Sequence, residues 1–309
     1  MDAKCLALVA LGRSLKEEGY RFVAVTPATH GLVLNRPEAP TTLRSIFGWN
    51  RPFQRDEIAT PMFELLSQAD ALAPDNGRYR SRVRFATIGD MVFAHSAFPT
   101  TEPDAVFFGP DTYRFVRLVR DSVADVASDR RLRLVDVGSG SGAGGLYAAR
   151  CLPGEAEILL ADINRKALVF SAVNAAINHV AHAHVLYSDI LDGLEGEADL
   201  IIANPPYLVD EGRRLYRHGG GDLGVAVAAR IAAEGLARLA AGGRLILYTG
   251  TPIIAGGDPF FDSVEPFLKL YCSQFRYEEV DPDVFGEELR KPSYAGVDRI
   301  AVVSLVARK

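Results

Sequence analysis

From about residue 132 onward, short apolar runs alternate with longer stretches whose apolar residues recur at helical spacing. Leu132–Val137 (LRLVDV), Glu157–Ala161 (EILLA), His184–Leu186, Leu200–Ala203 and Arg244–Tyr248 (RLILY) are rich in branched side chains and predict strands. Gly144–Cys151, Arg165–Asn178 and Val225–Ala240 lie between them and predict helices. Strands alternating with helices of this length imply βαβ units and a parallel sheet covered on both faces. Two further extended stretches, Gln274–Val280 and Arg299–Ala307, follow the last crossover and predict an antiparallel pair at the end of the sheet.

The first hundred residues read differently. An apolar stretch from Cys5 to Leu11 runs at once into charged residues, as in an amphipathic helix. Pro61–Ala73 is helix-like, Pro74–Gly77 (PDNG) is a turn, and Arg82–Thr87 and Met91–His95 are extended stretches joined by Ile88–Gly89–Asp90. Helices followed by a hairpin predict a small winged-helix-like α+β domain over 1–106, ahead of an α/β domain over 107–309. The alternating Arg78, Arg80, Arg82 and Arg84 are expected on one strand face, as a charge-guarded edge or as phosphate contacts.

Composition narrows the class. The chain has 309 residues, 48% hydrophobic and 24% charged, with a net charge of −5, so no global positive field draws it to nucleic acid or anionic membrane. Cys5, Cys151 and Cys272 are odd in number and far apart, which fits a reducing, cytoplasmic setting and argues against a disulfide framework or a zinc site. No apolar run reaches the length of a membrane span.

The candidate chemistry begins at Leu134–Leu146 (LVDVGSGSGAGGL), a strand ending in Asp136, a glycine loop and a helix start. Glycines let backbone N–H groups approach a ligand with no Cβ in the way, and the helix N-terminus adds free donors. Gly140, Gly142 and Gly145 satisfy a dinucleotide loop as well as other nucleotide sites. Two acids follow: Asp162 ends the second strand, where an acid reaches a ribose, and Asp189 follows the third strand, placed to accept from an exocyclic amine. After the fourth strand comes Asn204-Pro205-Pro206-Tyr207, a rigid corner, because both prolines fix φ and lack an N–H.

In this order and spacing, Asp136 with its glycine loop, Asp162, Asp189 and Asn204-Pro205-Pro206-Tyr207 resemble the class I S-adenosylmethionine (SAM)-dependent methyltransferases, and within them the N-methylating branch. The resemblance covers roughly residues 107–309 and implies a Rossmann-like seven-stranded sheet. It implies a SAM site formed by Asp136, Gly138, Ser139, Gly140, Gly142, Asp162, Ile163, Asp189, Ile190 and Asn204. The methyl acceptor would be gripped by Asn204, Pro205, Pro206 and Tyr207, with the Asn204 amide oxygen and Pro205 carbonyl taking the two acceptor hydrogens and Tyr207 stacking on its plane.

The chain is most similar to the HemK-like release-factor glutamine N5-methyltransferases. His218–Ile231 (HGGGDLGVAVAARI) resembles their glycine-containing lead into the next helix, and Pro110, Asp111 and Thr112 match a Pro-Glu-Thr core. Gly109 and Tyr113 stand where that family has an arginine and an acid. The expected acceptor is a protein glutamine, ahead of an RNA or DNA base and a small-molecule amine; a SAM-binding regulator and an NAD-dependent oxidoreductase are the other classes. Arg213, Arg214, Tyr216 and His218 are candidate substrate contacts. Glu287 and Glu288 are read as solvated loop acids, with a cationic substrate as the other use. His179, His182 and His184 form a turn cluster without the acid or cysteine that would complete a metal site.

Overall fold

The computed structural model describes residues 1–37, 40–126 and 130–309. In chain order the elements are α1 (Ala3–Glu17), α2 (Pro27–Leu34), α3 (Thr60–Gln68), β1 (Leu72–Asp75), β2 (Arg78–Ser81), β3 (Val83–Ile88), β4 (Met91–Ser96) and α4 (Pro110–Val123). They continue as β5 (Leu132–Val137), α5 (Ala143–Cys151), β6 (Ala156–Asp162), α6 (Arg165–Ile177), β7 (Ala183–Tyr187) and β8 (Ala198–Ala203). The last are α7 (Ala226–Arg238), β9 (Leu239–Ile253), α8 (Pro259–Tyr271), β10 (Gln274–Asp281) and β11 (Arg299–Arg308).

Seven strands form one Rossmann-like sheet in the order β10-β11-β9-β8-β5-β6-β7. The strands from β9 to β7 run parallel, and β11 runs antiparallel to both β9 and β10. Side-chain alternation divides the core. Leu132 and Leu134 of β5 join a cluster with α1, α5 and α6, whereas Val135 and Val137 join a second cluster with α7 and α8. The chain steps from β5 to β6 on one side and later returns to β8 on the other. That reversal is the topological switch point at which α/β sheets bind ligands.

The N-terminal region does not carry a projecting wing. Every residue of β3 and β4 is buried, since their hairpin is packed into the same continuous cluster as α1 and α6. The arginine row is accordingly dispersed: Arg78 and Arg80 lie on β2 beside Glu57 and Asp75, Arg82 donates to the Leu72 carbonyl, and Arg84 is buried against the Ser96 carbonyl and His30. The turn expected at Pro74–Gly77 is narrower, with Asn76 and Gly77 at its tip between β1 and β2. Helix α3 correspondingly stops at Gln68. Asn174 of α6 and Asn178, which caps its C-terminus, tie this layer to the sheet. The Asn174 side chain accepts from Ala94 N (2.7 Å) and donates to its carbonyl (2.9 Å), and Asn178 does the same for Val92 (3.0 and 2.8 Å). Side chains four apart on a helix thus serve residues two apart on a strand, in place of a missing ladder partner.

Candidate active site

Strand register brings the motifs together. Val137 pairs with Ala161 on β6 and with Ala203 on β8, so the next residues, Gly138, Asp162 and Asn204, leave the sheet side by side. They open on a single cavity of about 1290 Å³.

The glycine loop forms one half of it. Gly138, Gly140 and Gly142 have φ of 68°, 56° and 76°, a region that favours glycine. A Cβ at Gly138 would meet nothing within 4 Å, so that backbone faces open space. Asp136 is buried, and its carboxylate accepts from Gly145 N at 2.7 Å. Burial raises its pKa to about 7. Asp162 accepts from Gly140 N and from Asn164 N, both at 2.8 Å, and so locks the loop to the end of β6; burial raises its pKa too. Asp136, Gly138, Ser139, Gly140, Asp162, Ile163, Asp189 and Ile190 all line the cavity. Gly142 does not: it caps α5 and packs on Ser171. Ile163 is 45% exposed, an apolar side chain on the cavity wall. Asp189 lies at the rim and receives Arg230 at 3.0 Å.

The Asn204–Tyr207 corner forms the other half, and all four residues line the cavity. Asn204 is half-buried, as a group must be that is both held and reachable. Tyr207 differs from its expected part as a stacking face. It is only 7% exposed, its ring lies on the backbone of Gly250, where a Cβ would come within 2.1 Å, and Phe285 packs edge-on against it. Its hydroxyl donates to Asp111 at 2.7 Å, and burial followed by that carboxylate holds the phenol pKa well above its usual range. The glycines of the following segment explain their own number. Gly219 and Gly224 pack directly on the backbone of Tyr207, where Cβ atoms would come within 2.7 and 2.5 Å. Leu208 and His218 form a parallel bridge that closes the loop between them.

That loop carries the candidate substrate contacts. Arg214 pairs with buried Asp210, Tyr216 donates to the Thr100 carbonyl at 2.8 Å, and His218 Nδ1 accepts from Asp210 N. Three of the four candidates are therefore occupied in holding the loop, and Arg213 remains exposed on the cavity wall. Glu288 is buried between Arg217 and Lys291, contrary to a solvated loop, because two cations compensate its charge. Glu287 stays exposed. His179 and His184 line a separate depression with Met1 and Arg13. Among the described residues no group of three or more His, Cys, Asp or Glu is placed to hold a metal. Nor, among the described residues, is any helix long and apolar enough to cross a membrane. Sequence reasoning missed the wall supplied by the N-terminal layer and its linker, chiefly Thr26, Thr100 and Phe107. No local motif marks them.

Residues 123–252, which hold both halves of this cavity, match the methyltransferase small domain family. Over that stretch, a little over two fifths of the chain, the sequence is similar to the methyltransferase small domain. The release factor glutamine methyltransferase of Deinococcus radiodurans is 31% identical over 158 residues, covering 48% of this chain and 55% of that protein. The ribosomal RNA small subunit methyltransferase C of Pasteurella multocida is 38% identical over 77 residues, 25% of this chain and 23% of that one. The chain thus spans about half the length, or less, of these relatives. Among solved structures, a 16S rRNA methyltransferase of T. thermophilus, in complex with AdoMet and guanosine, aligns over 81% of this chain and 62% of that chain. It does so at 21% identity and a TM-score of 0.47. The matched stretch holds the parallel strands and the glycine loop; the buried N-terminal layer lies outside it.

Proposed function

We propose that the protein is a SAM-dependent N-methyltransferase acting on a planar amide or amine nitrogen, with a protein glutamine side chain as the leading acceptor. The observation that carries this reading is the opening of the glycine loop and the Asn204–Tyr207 corner on one cavity, side by side at the ends of adjacent strands.

The residues present fit the cofactor. Gly138 leaves a face that any side chain would fill, and the loop presents backbone at Gly138, Ser139 and Gly140. The Asp162 oxygens each accept one backbone hydrogen and keep a lone pair for ribose hydroxyls. Ile163 and Ile190 supply apolar surface for a purine, and Asp189 an acceptor for its amine. When bound, SAM supplies an electrophilic methyl group on a sulfonium.

The chain's own contribution is on the acceptor side. An amide nitrogen is a poor nucleophile because its lone pair is conjugated. The Asn204 side-chain oxygen and the Pro205 carbonyl accept its two hydrogens, turn the lone pair out of conjugation and stabilise the positive charge that develops. The proton displaced on methylation leaves to water. Tyr207, buried and tethered, fixes the corner.

The charges around the cavity favour a protein over a nucleic acid. Arg114, Arg214, Arg217 and Arg230 are each paired with carboxylates, whereas Asp283 and Glu287 are exposed on the wall. A polyphosphate chain meets few free cations there. Three free cysteines fit a cytoplasmic setting.

Labelling an extract from a deletion strain with purified protein and tritiated-methyl SAM tests the reading. Label in a polypeptide, with mass analysis of its digest placing the added methyl on a glutamine side chain, is expected. Label in RNA moves the acceptor to a base, the reading that the ribosomal RNA relative favours. Calorimetric titration with SAM and NAD separates the remaining classes: SAM binding without transfer on any acceptor makes the protein a regulator, and NAD binding in place of SAM overturns the proposal.

A further inference from the structure

The Asp111 carboxylate sits at a junction of four elements. Its Oδ2 accepts from the Tyr207 hydroxyl at 2.7 Å, and its Oδ1 accepts from the Tyr248 hydroxyl at 3.1 Å and from Arg114 at 3.2 Å. Asp111 lies in the first turn of α4, Tyr248 is fully buried on β9, and Arg114 reaches across to Asp281 on β10. With both oxygens engaged, this carboxylate has no geometry for a base. It is an anchor.

What it anchors is the far end of the corner. At the near end, Ala203 is held by pairing with Val137 and Leu247. Asn204, Pro205 and Pro206 follow, stiffened by two fixed φ angles. At the far end the Tyr207 ring is seated on Gly250 and Phe285, and only its hydroxyl supplies a directional bond. A hydroxyl donating to a carboxylate is a charge-assisted bond, among the stronger ones a side chain makes.

We propose that Asp111 is a positioning residue for methyl transfer: by holding the Tyr207 hydroxyl it fixes the second end of the corner and with it the Asn204 amide and the Pro205 carbonyl. This rests on the N-methyltransferase reading above. Contacts that orient an acceptor act on the rate of transfer, and a displacement of about 1 Å costs on the order of 10²-fold. The cofactor half, built on the glycine loop and Asp162, shares no hydrogen bond with Asp111.

The test compares wild type, Asp111→Asn, Asp111→Glu, Tyr207→Phe and the Asp111→Asn/Tyr207→Phe double variant in tritiated-methyl transfer to the extract acceptor, with SAM concentration varied. Asp111→Asn and Tyr207→Phe are each expected to lower the maximal rate about 100-fold while the KM for SAM stays within about 3-fold. The double variant is expected to be no slower than either single one, and Asp111→Glu to restore most of the rate. Thermal unfolding gives an activity-free readout: the two single losses in Tm should exceed the loss in the double variant when summed. Wild-type rate in Asp111→Asn, multiplying effects in the double variant, or a KM for SAM that rises in step with the rate loss overturns the proposal. If Asp111→Asn does not fold, Tyr207→Phe, which removes one oxygen atom, decides alone. Absence of transfer by the wild type is a different result and removes the N-methyltransferase reading itself.

Discussion

On one side of the cavity, most of what shapes the loop comes from the stretch between Asp136 and Asp162, with Ser171 and Asn174 of α6 holding its far side. Gly138 and Gly140 turn through positive φ, and the two aspartates accept from the loop's own N–H groups. On the other side, the Asn204–Tyr207 corner is shaped by residues scattered along the chain. Asp111, itself held by Tyr248, bonds the Tyr207 hydroxyl, and Gly250, Phe285 and the Gly219 and Gly224 backbone pack on the same residue. The first half is local backbone geometry. The second is tertiary packing and side-chain hydrogen bonding. The halves are thus open to separate perturbation, since a change in one need not displace the other.

The largest separation is expected from Asn204→Ala. Transfer should fall by about 10²–10³-fold, the scale for removing one preorganised polar partner of a transition state. SAM affinity by calorimetry should change less than about 2-fold; a parallel loss of both makes Asn204 structural. Gly250→Ala comes next. Its Cβ would sit 2.1 Å from the Tyr207 ring, so the ring must move, at a cost of roughly 1–3 kcal/mol of stability by chemical denaturation. Transfer should fall in the folded fraction while SAM binding persists.

Asp136→Asn probes the other half through pH. The folded-state pKa is about 7 against an ordinary 3.8, so the native chain holds a proton that the unfolded chain has released. Stability from this group is fully present below about pH 4 and is lost as pH rises toward 7. Asparagine does not titrate, so the fall in stability across that window should be shallower in the variant, by up to about 4 kcal/mol, read as a Tm that changes less with pH. An unchanged slope would assign the carboxylate an ordinary pKa. The smallest effect is expected from Asp189→Ala. Its pair with Arg230 is about half exposed, worth at most about 1 kcal/mol, so Tm should hardly move while SAM affinity falls a few-fold.

The same contrast explains what was legible in the sequence. β5 was readable to the residue, and the sheet's antiparallel finish was too, because apolar alternation and chain order determine both. Asp162 and Gly138 were readable because a strand end, a turn and a helix start are local signals. Tyr207 was readable as important but not as buried, since its surroundings arrive from β9, α4 and the segment around Phe285. Helix α8 went unread, with Pro266 inside it masking the period. The β3–β4 hairpin was found but its burial was not, because only the Asn174 and Asn178 side chains reveal that a helix covers its edge.

Those two amides reach further than the hairpin. Asn174 also donates to the Ser141 carbonyl at 2.8 Å, so a single side chain spans the N-terminal layer and the turn that precedes α5. A chimera that exchanged the first hundred residues for an unrelated fold would strip partners from both asparagines and unsettle the glycine loop along with the cavity wall that Thr26 and Thr100 supply.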